Sequence, residues 1–89
     1  MRAVITVVGK DVVGILHKVT GICAENNVNV SEVSQTVLQD MFCMIMFGDM
    51  DKCAISLSDF SDKMTALGEQ QGLSIHVMHE DVFDSMHRV

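Results

Sequence analysis

Proline, tryptophan and tyrosine are all missing from the 89 residues. With only 4 phenylalanines, a core must be filled by aliphatic side chains and by the 8 methionines, which pack flexibly. Cysteine is scarce and odd in number: Cys23, Cys43 and Cys53 share no CxxC spacing, which argues against a disulfide framework and offers a zinc ion no local ligand pair. They read as free, buried thiols. Positive charge is short as well, 6 Lys and Arg against 12 Asp and Glu, and the resulting net charge of −6 would repel a nucleic-acid backbone or an anionic bilayer. No apolar run approaches the roughly eighteen residues of a membrane span, and Met1 and Arg2 with the short run after them lack signal-peptide anatomy. The expected location is cytoplasmic. What the chain does have is apolar content, 48% of its residues. A domain this small buries only about 60–65% of its unfolded surface, so part of that content is expected on a surface that another chain covers.

The length allows one domain, 1–89, with a single thin core. Residues 2–8 (RAVITVV) form a β-branched run of strand length, closed by Gly9, Lys10 and Asp11. From Val12 to Asn26 the apolar residues Val12, Ile15, Leu16, Val19, Ile22 and Cys23 recur at three- and four-residue steps, the stripe of an amphipathic helix. Asp11 is placed to cap its start, and Asn26-Asn27 to end it in a left-handed conformation. Residues 28–38 alternate but slip phase between Val30 and Val33, as a bulged strand does. Gln39-Asp40 turns the chain into residues 41–47 (MFCMIMF), making a hairpin. After a break at 48–52, a second helix carries Leu57, Phe60, Met64 and Leu67 on one face, with Gly68 and Gly72 marking its end. Residues 73–78 alternate cleanly as a fourth strand, and Glu80 to Arg88 fits a short terminal helix.

The order strand, helix, strand, strand, helix, strand is the ferredoxin-like βαββαβ arrangement, an α+β fold with a four-stranded antiparallel sheet and two helices on one face. The central strands are apolar on both faces. Something is therefore expected over the second face: the terminal helix, a partner subunit, or both.

The segment Asp11-Val12-Val13-Gly14-Ile15-Leu16, followed by Asn29-Val30 at the start of the second strand, resembles the signature of the ACT domain. The run Ser34-Gln35-Thr36-Val37 is similar to stand-alone bacterial members that are little more than one such domain. Val13 replaces the proline usual before the glycine, which leaves the loop looser on the same path. The resemblance implies a regulatory module that pairs side by side and binds a small ligand, above all an amino acid, between the first loop of one chain and the second strand of another. No cofactor and no catalysis are expected.

The residues themselves suit such a role. Gly14 lets a ligand approach the backbone, and amides of Val12, Val13, Gly14 and Ile15 at a helix start are donors to a carboxylate. Asn29 offers both donor and acceptor, and Asp11 can attract an ammonium group. Each also has a structural reading: Gly14 as a packing position, Asn29 as a bulge residue, Asp11 as a cap. No other constellation is catalytic or metal-binding. His76 and His79 fall on opposite faces of a strand, Cys43 sits among apolar neighbours that should make it inert, and Gly9, Gly14 and Gly21 lack dinucleotide-loop spacing. The leading expectation is an amino-acid-sensing homodimer or tetramer that acts on a partner enzyme or regulator in trans. The alternative is a ligand-free assembly module that docks a partner through its apolar sheet face.

Overall fold

The computed structural model describes residues 1–10 and 13–86. Its elements run β1 (Arg2–Gly9), α1 (Ile15–Glu25), β2 (Asn29–Leu38), β3 (Met41–Asp49), α2 (Leu57–Gln71), β4 (Ser74–His79) and α3 (Glu80–Met86). The four strands form one antiparallel sheet in the order β2-β3-β1-β4. This is the ferredoxin-like fold with an added terminal helix. Among the described residues no helix is long and apolar enough to cross a membrane.

Pleating decides which residues meet the helices. Ala3, Ile5 and Val7 of β1, Met44 and Met46 of β3 and Ile75 of β4 turn to one face and are buried against Ile15, Val19 and Cys23 of α1 and Phe60, Met64 and Leu67 of α2. Methionine and β-branched residues thus take the place that aromatics usually fill. The phase slip in β2 is a bulge between Val30 and Glu32, where the Ser31 hydroxyl donates to the Phe47 carbonyl at 3.2 Å. It keeps Val30 and Val33 on the same face of the sheet.

Several helix boundaries differ from the expectation. α1 starts at Ile15 rather than Val12, because Gly14 at φ 75° is left-handed and ends the preceding turn. Gly14 is the N-cap, no side chain among the described residues caps this end, and Asp11, assigned that task above, lies outside them. α2 is capped by Ser56, whose hydroxyl accepts from the Asp59 amide at 3.0 Å. Only Gly72 (φ 70°) ends α2; Gly68 lies inside the helix against β4. Asn27 (φ 60°) provides the left-handed residue after α1, while Asn26 is buried and its amide donates to the Ile22 carbonyl at 2.9 Å.

The second face of the sheet is covered at one end by the chain itself. α3 folds back so that Phe83 meets Phe47 edge-on, ring centroids 6.0 Å apart, and Val4 beneath is fully buried. The Arg2 guanidinium stacks 4.7 Å over the Phe47 ring and donates through Nε to Glu80 at 2.8 Å. The other end stays open, with Val8, Cys43 and Ile45 exposed or half-exposed. Cys43 is therefore not a buried thiol. Cys23 is, and burial pushes its thiol up to about 11.

The Arg2 contact holds the Glu80 carboxyl below its ordinary 4.5, chiefly through their hydrogen bond. A carboxyl depressed in the folded state contributes stability above its unfolded pKa, and that contribution is lost as pH falls through the folded value. The melting temperature is therefore expected to fall below pH 4.5, and to fall less in Glu80→Gln. Equal acid sensitivity of the two proteins would show that this pair does not hold α3 down.

Candidate functional site

The residues singled out above lie at two ends of the molecule. At the end where β1 finishes, Val13 is 92% exposed and Gly14 is exposed with open space around its α-carbon. The first-turn amides of α1 emerge here, and Lys10 pairs with Asp40 of the hairpin turn at 3.5 Å. Ile15 does not face the site. Its side chain is buried in the core, leaving only its backbone for a ligand. Val12, like Asp11, lies outside the described residues.

Asn29 stands at the opposite end. α1 returns the chain along its full eleven residues, about 16 Å, before β2 begins, so Gly14 and Asn29 of one chain cannot hold the same small molecule. Asn29 pairs with Asp49 in the sheet and, with Asp49, Asp51 and Lys52, lines a cavity of about 260 Å³. The acids here are already engaged. Asp49 accepts from the Asp51 amide at 2.9 Å, and the Asp51 carboxylate takes the Met1 ammonium at 2.5 Å, which raises the pKa of the amine and lowers that of the acid.

Two contacts that position Asn29 escaped the sequence reading. Gly48 faces Val28 so closely that a Cβ there would stand 2.6 Å from the valine methyl, and this close approach sets where β2 starts. The Asn26 carbonyl accepts from the Ala54 amide at 3.0 Å, tying the turn before β2 to the loop after β3. A glycine ending an apolar strand next to an acidic loop was the available signal for the first; nothing local marks the second.

Between the two ends runs β2, an edge strand whose outer side has no neighbour in the sheet. Every β2 residue except half-buried Val30 is exposed, including Val33, Val37 and Leu38. Natural edges are usually blunted by proline or inward charges. This one carries a single charged residue, Glu32.

Residues 2–78 match the ACT domain family. The chain belongs to the ACT-domain family. A UPF0237 protein of Clostridium perfringens is 47% identical over 89 residues, spanning all of both chains. An ACT domain protein from Streptococcus pneumoniae superposes with a TM-score of 0.81 at 34% identity, over 93% of each chain. The fold also occurs in a formyltetrahydrofolate deformylase from Pseudomonas syringae, at TM-score 0.77 and 23% identity, covering 88% of this chain and 27% of that one. ACT domains are typically regulatory, ligand-binding modules, and the βαββαβ order expected for this one is the order found. Among the described residues no three His, Cys, Asp or Glu side chains are grouped to hold a metal ion.

Proposed function

We propose that this ACT domain is a cytoplasmic amino-acid sensor that pairs through β2 and binds its ligand where the Gly14 loop of one copy meets Asn29 of the other. The observation that carries the reading is the unpaired β2 edge, on which Val33, Val37 and Leu38 are exposed. An antiparallel copy added there extends the sheet to eight strands and satisfies the edge backbone groups. A two-fold axis near the middle of β2 brings Asn29 of each copy toward the Leu38 end of the other, the end from which the Gly14 loop projects. Residues 16 Å or so apart in one chain become neighbours across two.

In this arrangement the first-turn amides of α1 receive the ligand carboxylate, with Val13, Gly14 and Ile15 contributing backbone only, and Asn29 receives the ammonium. Asp11 and Val12 are proposed as ligand-binding residues as well. A ligand that touches both copies favours the dimer over the monomer by mass action, and that difference is the signal a partner enzyme or regulator reads in trans.

The test is calorimetric titration with the twenty amino acids, alongside the mass in solution. Binding with tightening of the dimer is expected. A stable monomer with no heat from any amino acid overturns the reading. Gly14→Leu is expected to weaken ligand-induced stabilisation at least tenfold while costing the free fold about 1 kcal/mol, since leucine at φ 75° is strained. The second reading, a ligand-free module docking a partner, draws on the uncovered half of the sheet around Val8, Cys43 and Ile45. Under it, Gly14→Leu leaves partner capture unchanged.

A further inference from the structure

None of the three thiols takes part in the proposed site, and pleating sets one of them apart from the other two. Cys43 alternates with the buried Met44 and Met46 along β3 and so turns to the outer face of the sheet, away from the helices. Cys23 and Cys53 meet the core instead. Cys23, in the last turn of α1, is part of it, and Cys53 packs against it from the irregular chain between β3 and α2.

Their two segments are fastened together. The carbonyl of Asn26, just after Cys23 in the chain, accepts from the amide of Ala54, the neighbour of Cys53, at 3.0 Å. The thiols are within electrostatic range of each other: burial first, and Cys53 after it, raise the pKa of Cys23. They differ in access, for Cys23 is 1% exposed whereas Cys53 is only half-buried and can be reached from solvent. In such a pair the accessible thiol meets an oxidant and the buried one resolves the product.

We propose that Cys23 and Cys53 close into a reversible disulfide when a small-molecule disulfide such as glutathione disulfide accumulates, fastening the end of α1 to the loop after β3. The Cys53 thiolate attacks one sulfur of the oxidant and expels the other as a thiolate, which leaves a mixed disulfide on Cys53. Cys23 then gives its proton to solvent, attacks the Cys53 sulfur and expels the second small thiol. Two protein thiols are oxidised, and one oxidant disulfide is reduced to two thiols. The second step is intramolecular, which offsets the poor ionisation of a buried thiol. Bridging needs α-carbons about 4.4–6.8 Å apart, and the irregular chain around Cys53 can adjust to that without breaking a helix or a strand. Because the Asn26–Ala54 hydrogen bond ties down the turn before Asn29, the new bond makes that turn more rigid. The proposal goes beyond the subunit-interface reading, which involves no cysteine.

The test is to incubate the reduced full chain with glutathione disulfide, block the remaining thiols, and map the product by mass after cleavage beside Glu25, Glu32 and Lys52, which separates the three cysteines. A product that has lost two hydrogens is expected, with Cys23 joined to Cys53 of the same chain and full reversal by dithiothreitol. Its melting temperature is expected to rise by roughly 10 °C, because the bond closes a loop of about thirty residues. In Cys23→Ser the reaction should stop with glutathione on Cys53. The map of the unaltered chain decides the matter even if that variant does not fold. Glutathione that persists on Cys53 beside a free Cys23, a Cys53 that does not react, a bond that involves Cys43, or closure only in urea would each overturn the proposal.

Discussion

Replacing Gly68 by alanine should destabilise the domain by about 2 kcal/mol, although alanine is the better helix former by about 1 kcal/mol. Gly68 lies inside α2 where the helix rests directly on β4. A Cβ there would stand 2.7 Å from the Leu73 carbonyl oxygen and 3.3 Å from the Ile75 amide nitrogen. Both neighbours are backbone and cannot step aside without moving the strand. Gly21, inside α1, is the matched control: a Cβ there meets nothing within 4 Å. Gly21→Ala should therefore gain about 0.5–1 kcal/mol from the helix preference and the reduced freedom of the unfolded chain. Urea melts of the two variants should move in opposite directions. A neutral or stabilising Gly68→Ala would mean that α2 sits further from β4 than described.

Phe60→Ala should have the largest effect of any single change, a loss of about 3–5 kcal/mol. Phe60 is fully buried, and in a core otherwise built of methionine and aliphatic residues it is the largest side chain with no exposed surface. Small domains are stable by only about 5–15 kcal/mol in all, so the variant is expected to be partly unfolded at 37 °C. Phe60→Leu, which keeps much of the volume, should lose less and remain folded, giving a measurable urea midpoint. Near equality of the two variants would show that the methionines around Phe60 collapse into the gap.

How far these features were legible varies with the distance over which they are decided. The strand and helix order was readable because each element buries one periodic face; Ile5, Met46, Phe60 and Met64 reach the core as their spacing requires. The bulge was readable from the phase slip between Val30 and Val33. The start of α1 was not, because an aliphatic Val12 continues the helical stripe while the left-handed Gly14 interrupts the backbone. The role of Gly68 was misread for a related reason: in a sequence, a glycine near a helix end resembles a stop, and only the proximity of β4 shows that it is a contact. Of the candidate site, Gly14 and Asn29 were identified as chemistry, but their separation follows from chain direction, and the cover that α3 lays over Val4 depends on the pairing of Phe83 with Phe47.

The Ser31 bulge also sets a limit on any neighbour that β2 can accept. A strand pairs well only where its ladder is regular, and the bulge twists the first three residues of β2 out of line. The straight remainder is Glu32–Leu38, seven residues centred on Gln35. Two copies joined along that stretch would each hold Asn29 beyond the last shared rung, overhanging the hairpin turn of the other copy at Gln39 and Asp40. An irregularity in the ladder would thus act as a spacer, fixing the register of the assembly and keeping Asn29 out of the pairing.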